Sequence, residues 1–328
     1  MVSYDVPCLI FPQARAVRKE LKHNAIAREE KRTLEFLAKC ARPNFIQLLF
    51  WYQYDDKINY VFPEYPGSLQ RVLEGRMEDQ IHPPELFKYG PKLKHWLWQG
   101  MVDVIQALKF FHFPEQDVLD GDLIAAHFDM KPANILVDNS GTLIITDFGQ
   151  ARIRQFNAAG GSALTAQVGD PNYRPPPLTQ AMSTVSPQGS GPKWSRAYDV
   201  WSTACIMTEV IQYILHGGPK GYNSFRDRRL SEDKSSAAFW KVGPDGACVL
   251  RSSVQDTLNR FRAFQDRYLD MVTDLLQTMF SINAMLRPTM LDCMTILSED
   301  IPADEWPLRE DDEISICGLG TNPQLRNM

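Results

Sequence analysis

The chain has 328 residues, enough for one large domain or for two lobes around a cleft. Its 44 % apolar and 23 % charged content is ordinary for a globular fold, and a net charge of −5 argues against nucleic acid as a partner. Six cysteines without a CxxC pair exclude a disulfide framework and a zinc knot, and neither a membrane-length apolar run nor a signal segment is visible, so a monomer of the cytoplasm, with the nucleus as a second address, is expected.

Residues 1–66 contain no glycine; the first is Gly67. In this stretch Val6–Phe11 is a short apolar run able to form a strand. The apolar spacing and charges of Arg28–Leu37 suit a helix. Phe50–Tyr54 and Asn59–Phe62 read as a strand pair turning at Asp55-Asp56-Lys57. Residues 94–113 then carry a long amphipathic pattern, with Leu97, Met101, Ile105, Leu108 and His112 at helical spacing, and the lone His112 reads as structural.

The most informative stretch is 127–151. It opens with His127-Phe128-Asp129-Met130-Lys131-Pro132-Ala133-Asn134 and closes with Asp147-Phe148-Gly149. Between them two short apolar runs are joined by Asp138-Asn139-Ser140-Gly141, a hairpin turn signal. A hairpin brings its two ends to one edge. Asp129 can then orient a substrate hydroxyl and accept its proton, while Asn134 and Asp147 hold Mg²⁺ on the phosphates of ATP. Lys131 can neutralise the γ-phosphoryl group as charge moves.

With these motifs the chain resembles the eukaryotic-type protein kinase superfamily, from about Val17 to about Leu297. It is most similar to the divergent Ser/Thr kinases of filamentous fungi. The resemblance implies an α+β bilobal fold. Residues 1–66 form a stunted antiparallel-sheet N-lobe, 67–297 a mainly helical C-lobe, and 298–328 an acidic, loosely ordered tail. It further implies that Ala16–Leu21 is the strand carrying a phosphate-contacting lysine, Lys19, with Glu30 as that lysine's partner. Phe62 falls at the gatekeeper place, Pro63-Glu64-Tyr65 at the hinge that meets adenine, and Leu136 among the nucleotide contacts. His127, Phe148, Leu34 and Leu48 match the apolar column that joins the lobes. Asp199, opening the apolar run 199–215, matches a residue that caps the catalytic loop. Residues 217–237, rich in Gly, Arg, Asp and Ser, read as a solvated loop.

Four features depart from the family pattern. The glycine-rich hairpin over the ATP phosphates is not present in normal form, a result equally of a degenerate N-lobe and of a truncated reading frame; weak ATP binding is the expectation. Phe128 replaces the arginine that grips an activation-segment phosphate, so phosphates on Ser162 or Thr165 are not expected to switch activity. Asp170 brings a second carboxylate near Asp129, which raises one of the two pKa values unless it points away. Pro177 replaces the glutamate that would pair with Arg287, and a buried arginine left unpaired costs about 3 kcal/mol or more. The sequence therefore supports a Ser/Thr protein kinase using ATP and Mg²⁺ on a protein substrate. Its alternatives are a pseudokinase acting as a binding or scaffold module and a small-molecule phosphotransferase of related fold.

Overall fold

A computed structural model describes residues 2–4, 15–40, 42–77, 80–83, 92–113, 123–155, 169–177 and 193–298. The fold is α+β, with a small antiparallel sheet in the N-terminal part and helices in the rest. In the sheet, β1 (Val2–Tyr4), β2 (Ala16–Lys22), β3 (Phe50–Tyr54) and β4 (Lys57–Pro63) lie in the order β1-β2-β4-β3. The strand before β2 is thus Val2–Tyr4, whereas Val6–Phe11 lies outside the described residues. Strand β4 is central, and Ile58–Phe62 are buried along it. Strand β3 is an edge, and all five of its residues are exposed.

Helix α1 (Ala25–Cys40) packs against the sheet at β4. Asn24 caps it, its Oδ1 accepting the Ala27 N–H at 3.0 Å. Ala27, Leu34 and Leu37 go into the core, and the Tyr60 hydroxyl of β4 donates to the Ala27 carbonyl at 2.6 Å. The next turn of chain is bonded to a distant hairpin instead of to its own sheet. The Ile46 N–H donates to Ile145 O (2.9 Å), the Ile145 N–H to Asn44 O (2.8 Å), and the Asn44 amide to Leu143 O (2.9 Å).

The strands β5 (Gly67–Ser68), β7 (Ile135–Val137) and β8 (Leu143–Ile145) form a second sheet. Short helix α2 (Leu69–Leu73) follows β5, and β6 (Leu123–Ala126) pairs with β9 (Arg152–Gln155). Helix α3 (Trp96–His112) buries Leu97, Met101, Ile105 and Leu108 completely, as its periodicity predicts. A Cβ on its Gly100 would stand 2.7 Å from Leu143 Cγ, so glycine is what lets α3 seat on β8. Helix α4 (Lys193–Leu215) is buried on every side between Val200 and Ile211, the signature of a central helix. Around it lie α5 (Pro219–Glu232), the strand pair β10 (Trp240–Val242) and β11 (Cys248–Leu250), α6 (Ser252–Arg262), α7 (Arg267–Met279) and α8 (Met290–Ser298).

The expected solvated loop at 217–237 is corrected here: most of it is α5. Gly217 and Gly218 adopt positive φ after α4, and Pro219 starts the new helix. Tyr222, Phe225 and Arg229 make its buried face. Within the described residues no helix is long and apolar enough to cross a membrane. The acidic tail beyond Ser298 and the sites Ser162 and Thr165 lie outside them.

Candidate active site

The hairpin expected between Asn134 and Asp147 forms. Asp138 Oδ1 accepts the N–H groups of Ser140 (2.9 Å) and Thr142 (2.8 Å), which sets the turn. The register Ile135↔Ile145 and Val137↔Leu143 brings both ends to one edge. There the Thr146 N–H donates to the Asn134 carbonyl at 2.9 Å, so Asn134 and Asp147 become neighbours.

Asp129 is buried and held on both oxygens. Its Oδ2 accepts the Lys131 ammonium and the Asn134 amide, each at 2.8 Å, and its Oδ1 accepts the Asp170 N–H at 3.0 Å. The Asn134 amide nitrogen also donates to the Asp129 carbonyl at 2.8 Å, which leaves the amide oxygen facing the other way. Before Asp129, Phe128 is forced to φ +63°, a left-handed conformation that costs a non-glycine residue about 1–2 kcal/mol. What holds it is Asp199 on α4. One carboxylate oxygen accepts the Phe128 N–H (2.8 Å). The other accepts the His127 N–H (2.7 Å) and sits 2.9 Å from His112 Nε2. Asp199 and His112 are both fully buried, so each has the structural role read from the sequence. The Phe128 ring lies edge-on to Tyr198 with centroids 5.4 Å apart, an aromatic contact where a cation was absent.

Lys19 stands on β2 opposite Tyr60 and reaches two carboxylates. Its Nζ is 2.6 Å from Glu30 Oε1 and 2.8 Å from Asp147 Oδ1. The ammonium is pushed up in pKa; burial opposes this, and Glu30 and Asp147 outweigh it. The two acids move in opposite directions. Burial works against the Asp147 carboxylate, but Lys19 and the Gly149 N–H hold it below the ordinary range. Burial raises Glu30 despite Lys19, in keeping with its Oε2, which is buried and has no hydrogen-bond partner. Asp147 itself has φ +61° and leads into the 3-10 turn Phe148–Gln150. Phe148 is buried against His127 (4.9 Å), Phe111 (5.6 Å) and Phe45 (6.1 Å). Leu34 and Leu48 belong to the same core. Phe45 and Phe111 extend the expected column, and nothing in their local sequence marks them.

Around the cleft, Phe62 is buried at the end of β4, while Glu64 and Tyr65 are half-buried. The Glu64 N–H is donated to the Arg15 carbonyl at 3.0 Å, which takes that donor out of any ligand contact. Leu136 faces away from buried Ile135 and Val137, across from Ser68. Asp170 turns its carboxylate to its own turn, Oδ1 accepting the Asn172 N–H at 2.9 Å; only its backbone meets Asp129. Arg287, expected to lack its carboxylate partner, is satisfied by backbone carbonyls instead. It remains buried and donates to the carbonyls of Ser281 (2.8 Å), Ala197 (2.9 Å) and Ile282 (3.4 Å), with its guanidinium 5.0 Å from the Trp201 ring centre. Burial lowers its pKa to about 10.

The protein kinase domain model matches residues 13–297 of this chain. Among curated relatives, mitogen-activated protein kinase kinase kinase 1a of Physcomitrium patens is 27 % identical over 239 residues, 71 % of this chain and 24 % of that protein. Serine/threonine-protein kinase Nek2 of Mus musculus is 24 % identical over 299 residues, 88 % of this chain and 55 % of that protein. Cyclin-dependent kinase 20 of Rattus norvegicus is 38 % identical over 93 residues, 28 % of this chain and 22 % of that protein. The chain thus spans between about a fifth and just over half of the length of these relatives. Since the matched range holds Lys19, Glu30, Asp129, Asn134, Asp147 and Asp199 in one connected arrangement, the chain belongs to the protein kinase domain family.

Proposed function

We propose that this domain transfers the γ-phosphoryl group of ATP, bound with Mg²⁺, to serine or threonine hydroxyls of protein substrates. The observation that carries the reading is the joining of two clusters at the hairpin edge: Asp129 with Lys131 and Asn134, and Asp147 with Lys19 and Glu30. Asp129 is fixed by three donors and keeps lone pairs with which to orient a hydroxyl and take its proton. Lys131, beside it, supplies positive charge where the group in transit would pass.

The donor set suits the metal. The Asn134 amide oxygen and the Asp147 carboxylate are hard oxygen ligands, and Mg²⁺ takes one or two such groups together with phosphate oxygens and waters. Among the described residues no cluster of three or more His, Cys, Asp or Glu offers a closed metal cage instead. When bound, Mg²⁺ neutralises charge on the phosphate oxygens and fixes their orientation. Lys19, steadied by Glu30, points its ammonium at the same place. Phe62, the 63–65 backbone and Leu136 supply the walls of an adenine pocket. A monomeric state is part of the proposal, as is action in the cytoplasm or nucleus, the compartment resting on cysteines that read as reduced thiols.

A second reading is a nucleotide-binding or scaffold module without transfer. The glycine-free residues 1–66 and Pro177 favour it. The test is Mg²⁺-dependent phosphorylation of a generic protein substrate, with Asp147→Ala as control. Incorporation into serine or threonine by the wild type, lost in the variant, is the expected result. Nucleotide binding without any incorporation would select the second reading.

A further inference from the structure

With Pro177 in place of a carboxylate, and exposed, the 170–174 turn needs another anchor. The structure supplies one from the segment between α5 and β10. Asn172 Oδ1 accepts the Ala237 N–H at 3.0 Å, and the Trp240 indole N–H donates to the Arg174 carbonyl at 3.0 Å. That segment is itself pinned by Arg229 of α5, whose Nε donates to the Ala237 carbonyl at 2.9 Å. The Arg229 guanidinium packs against the rings of Phe225 and Phe239, 4.2 Å from each centroid. Its other end is 2.5 Å from Glu209 Oε1 on α4, and Glu209 Oε2 accepts the Tyr173 hydroxyl at 2.9 Å. Arg229 and Glu209 are both almost wholly buried.

Arg229 therefore grips the turn twice, through Glu209 to Tyr173 and through Ala237 to Asn172. At the other end of the same turn the Asp170 N–H holds Asp129. An arginine on one side of this path and the proposed proton acceptor on the other are linked by hydrogen bonds and one short piece of backbone.

We infer that the Ala237–Trp240 segment, pinned by Arg229, is a positioning element for Asp129: it holds the 170–174 turn by contacts that replace the carboxylate missing at Pro177. Asn172 and Trp240 are its contact residues and Arg229 its anchor; none of them touches the reacting atoms. The functional half of this inference rests on the phosphotransferase reading, and the structural half does not.

The experiment compares the full chain with the double variant Asn172→Ala/Trp240→Phe, and separately with Arg229→Met, which keeps a long apolar stem against the two phenylalanines. Three quantities are read: amide hydrogen exchange by peptide, Mg²⁺-ATP affinity by titration, and kcat and KM for a generic protein substrate. In the double variant, exchange within 169–177 is expected to rise at least about tenfold, with exchange in 15–77 and Mg²⁺-ATP affinity within about twofold of wild type. The value of kcat should fall about tenfold or more. Arg229→Met is expected to add faster exchange at 237–240. Unchanged exchange at 169–177 in the folded double variant overturns the inference. So does an equal rise throughout the chain, which would make these contacts general core elements. If the wild type transfers no phosphate, the proposed function fails, while the exchange measurement still decides the positioning claim.

Discussion

Replacing Asp199 by alanine tests how the catalytic loop is held. One carboxylate accepts two backbone N–H groups, from His127 and Phe128, and meets His112 Nε2, all without solvent exposure. Alanine leaves these buried donors without an acceptor, at about 1–3 kcal/mol each. A total loss of about 3–6 kcal/mol follows, the lower figure applying if a water enters the vacated space. Asparagine keeps one acceptor oxygen and should cost about half as much. The loss also releases Phe128 from its left-handed conformation and so displaces Asp129. Lys19, Glu30 and Asp147 make their ion pairs with one another and none with Asp199. Denaturant unfolding should therefore show the stability loss, and folded Asp199→Asn should bind Mg²⁺-ATP nearly as wild type while transferring much less phosphate. A loss below about 1 kcal/mol for Asp199→Ala, or equal loss of binding and transfer in Asp199→Asn, would refute the reasoning.

Three further outcomes are expected. Lys19→Met leaves the buried Glu30 carboxylate without its cation and should destabilise the fold by about 2–4 kcal/mol in denaturant unfolding, with the double variant Lys19→Met/Glu30→Gln recovering at least half. Gly100→Val drives a side chain into Leu143 and should cost about 1–3 kcal/mol by overpacking, measured as a lowered Tm. Glu232 accepts the N–H groups at the start of α6; burial opposes its ionisation, but Lys241 and Ser253 outweigh it and hold its pKa at about 2. Because the folded value lies below the unfolded one, its stabilisation of about 1–2 kcal/mol, discounted for solvent, is complete above about pH 4.5 and lost as pH falls toward 2. Unfolding of wild type and Glu232→Gln from roughly pH 7 down to roughly pH 2, the range that covers this titration, should show the two curves converging at the acid end.

The parts of the site that lie close together in sequence were legible there. Hairpin chemistry at Asp138–Gly141 is local, and it is enough to bring Asn134 and Asp147 together. The periodicity of α3 is likewise a local signal. Helix α5 escaped because Gly217, Gly218 and Pro219 read as breakers and its run of arginines and aspartates reads as solvated. One of those arginines, Arg229, is in the core, and a hydropathy pattern scores it as surface. Arg287 shows the same limit. It is satisfied by carbonyls of Ser281, Ala197 and Ile282, and acceptors that every residue carries leave no mark in a sequence. Strand β1 at Val2–Tyr4, paired with Ala16–Arg18, has too little apolar content to mark itself, and the strand expected at Val6–Phe11 lies outside the described residues.

The bonds between Asn44–Ile46 and Leu143–Ile145 have a mechanical consequence. Residues 44–46 come early in the chain, yet they are fastened to the β8 strand and move with it as one piece. If the small sheet rocks against the helical part, the bending must be taken up on either side of that fastening, near 42–43 and 47–49, and again near 63–66. Helix α1 then behaves as a lever whose C-terminal end is near the fulcrum, and Glu30, well along the helix from it, sweeps a longer arc. Because the Tyr60 hydroxyl ties α1 to β4, Glu30 and Lys19 travel together with the small sheet, and a rotation about the seam changes the reach of that pair to Asp147.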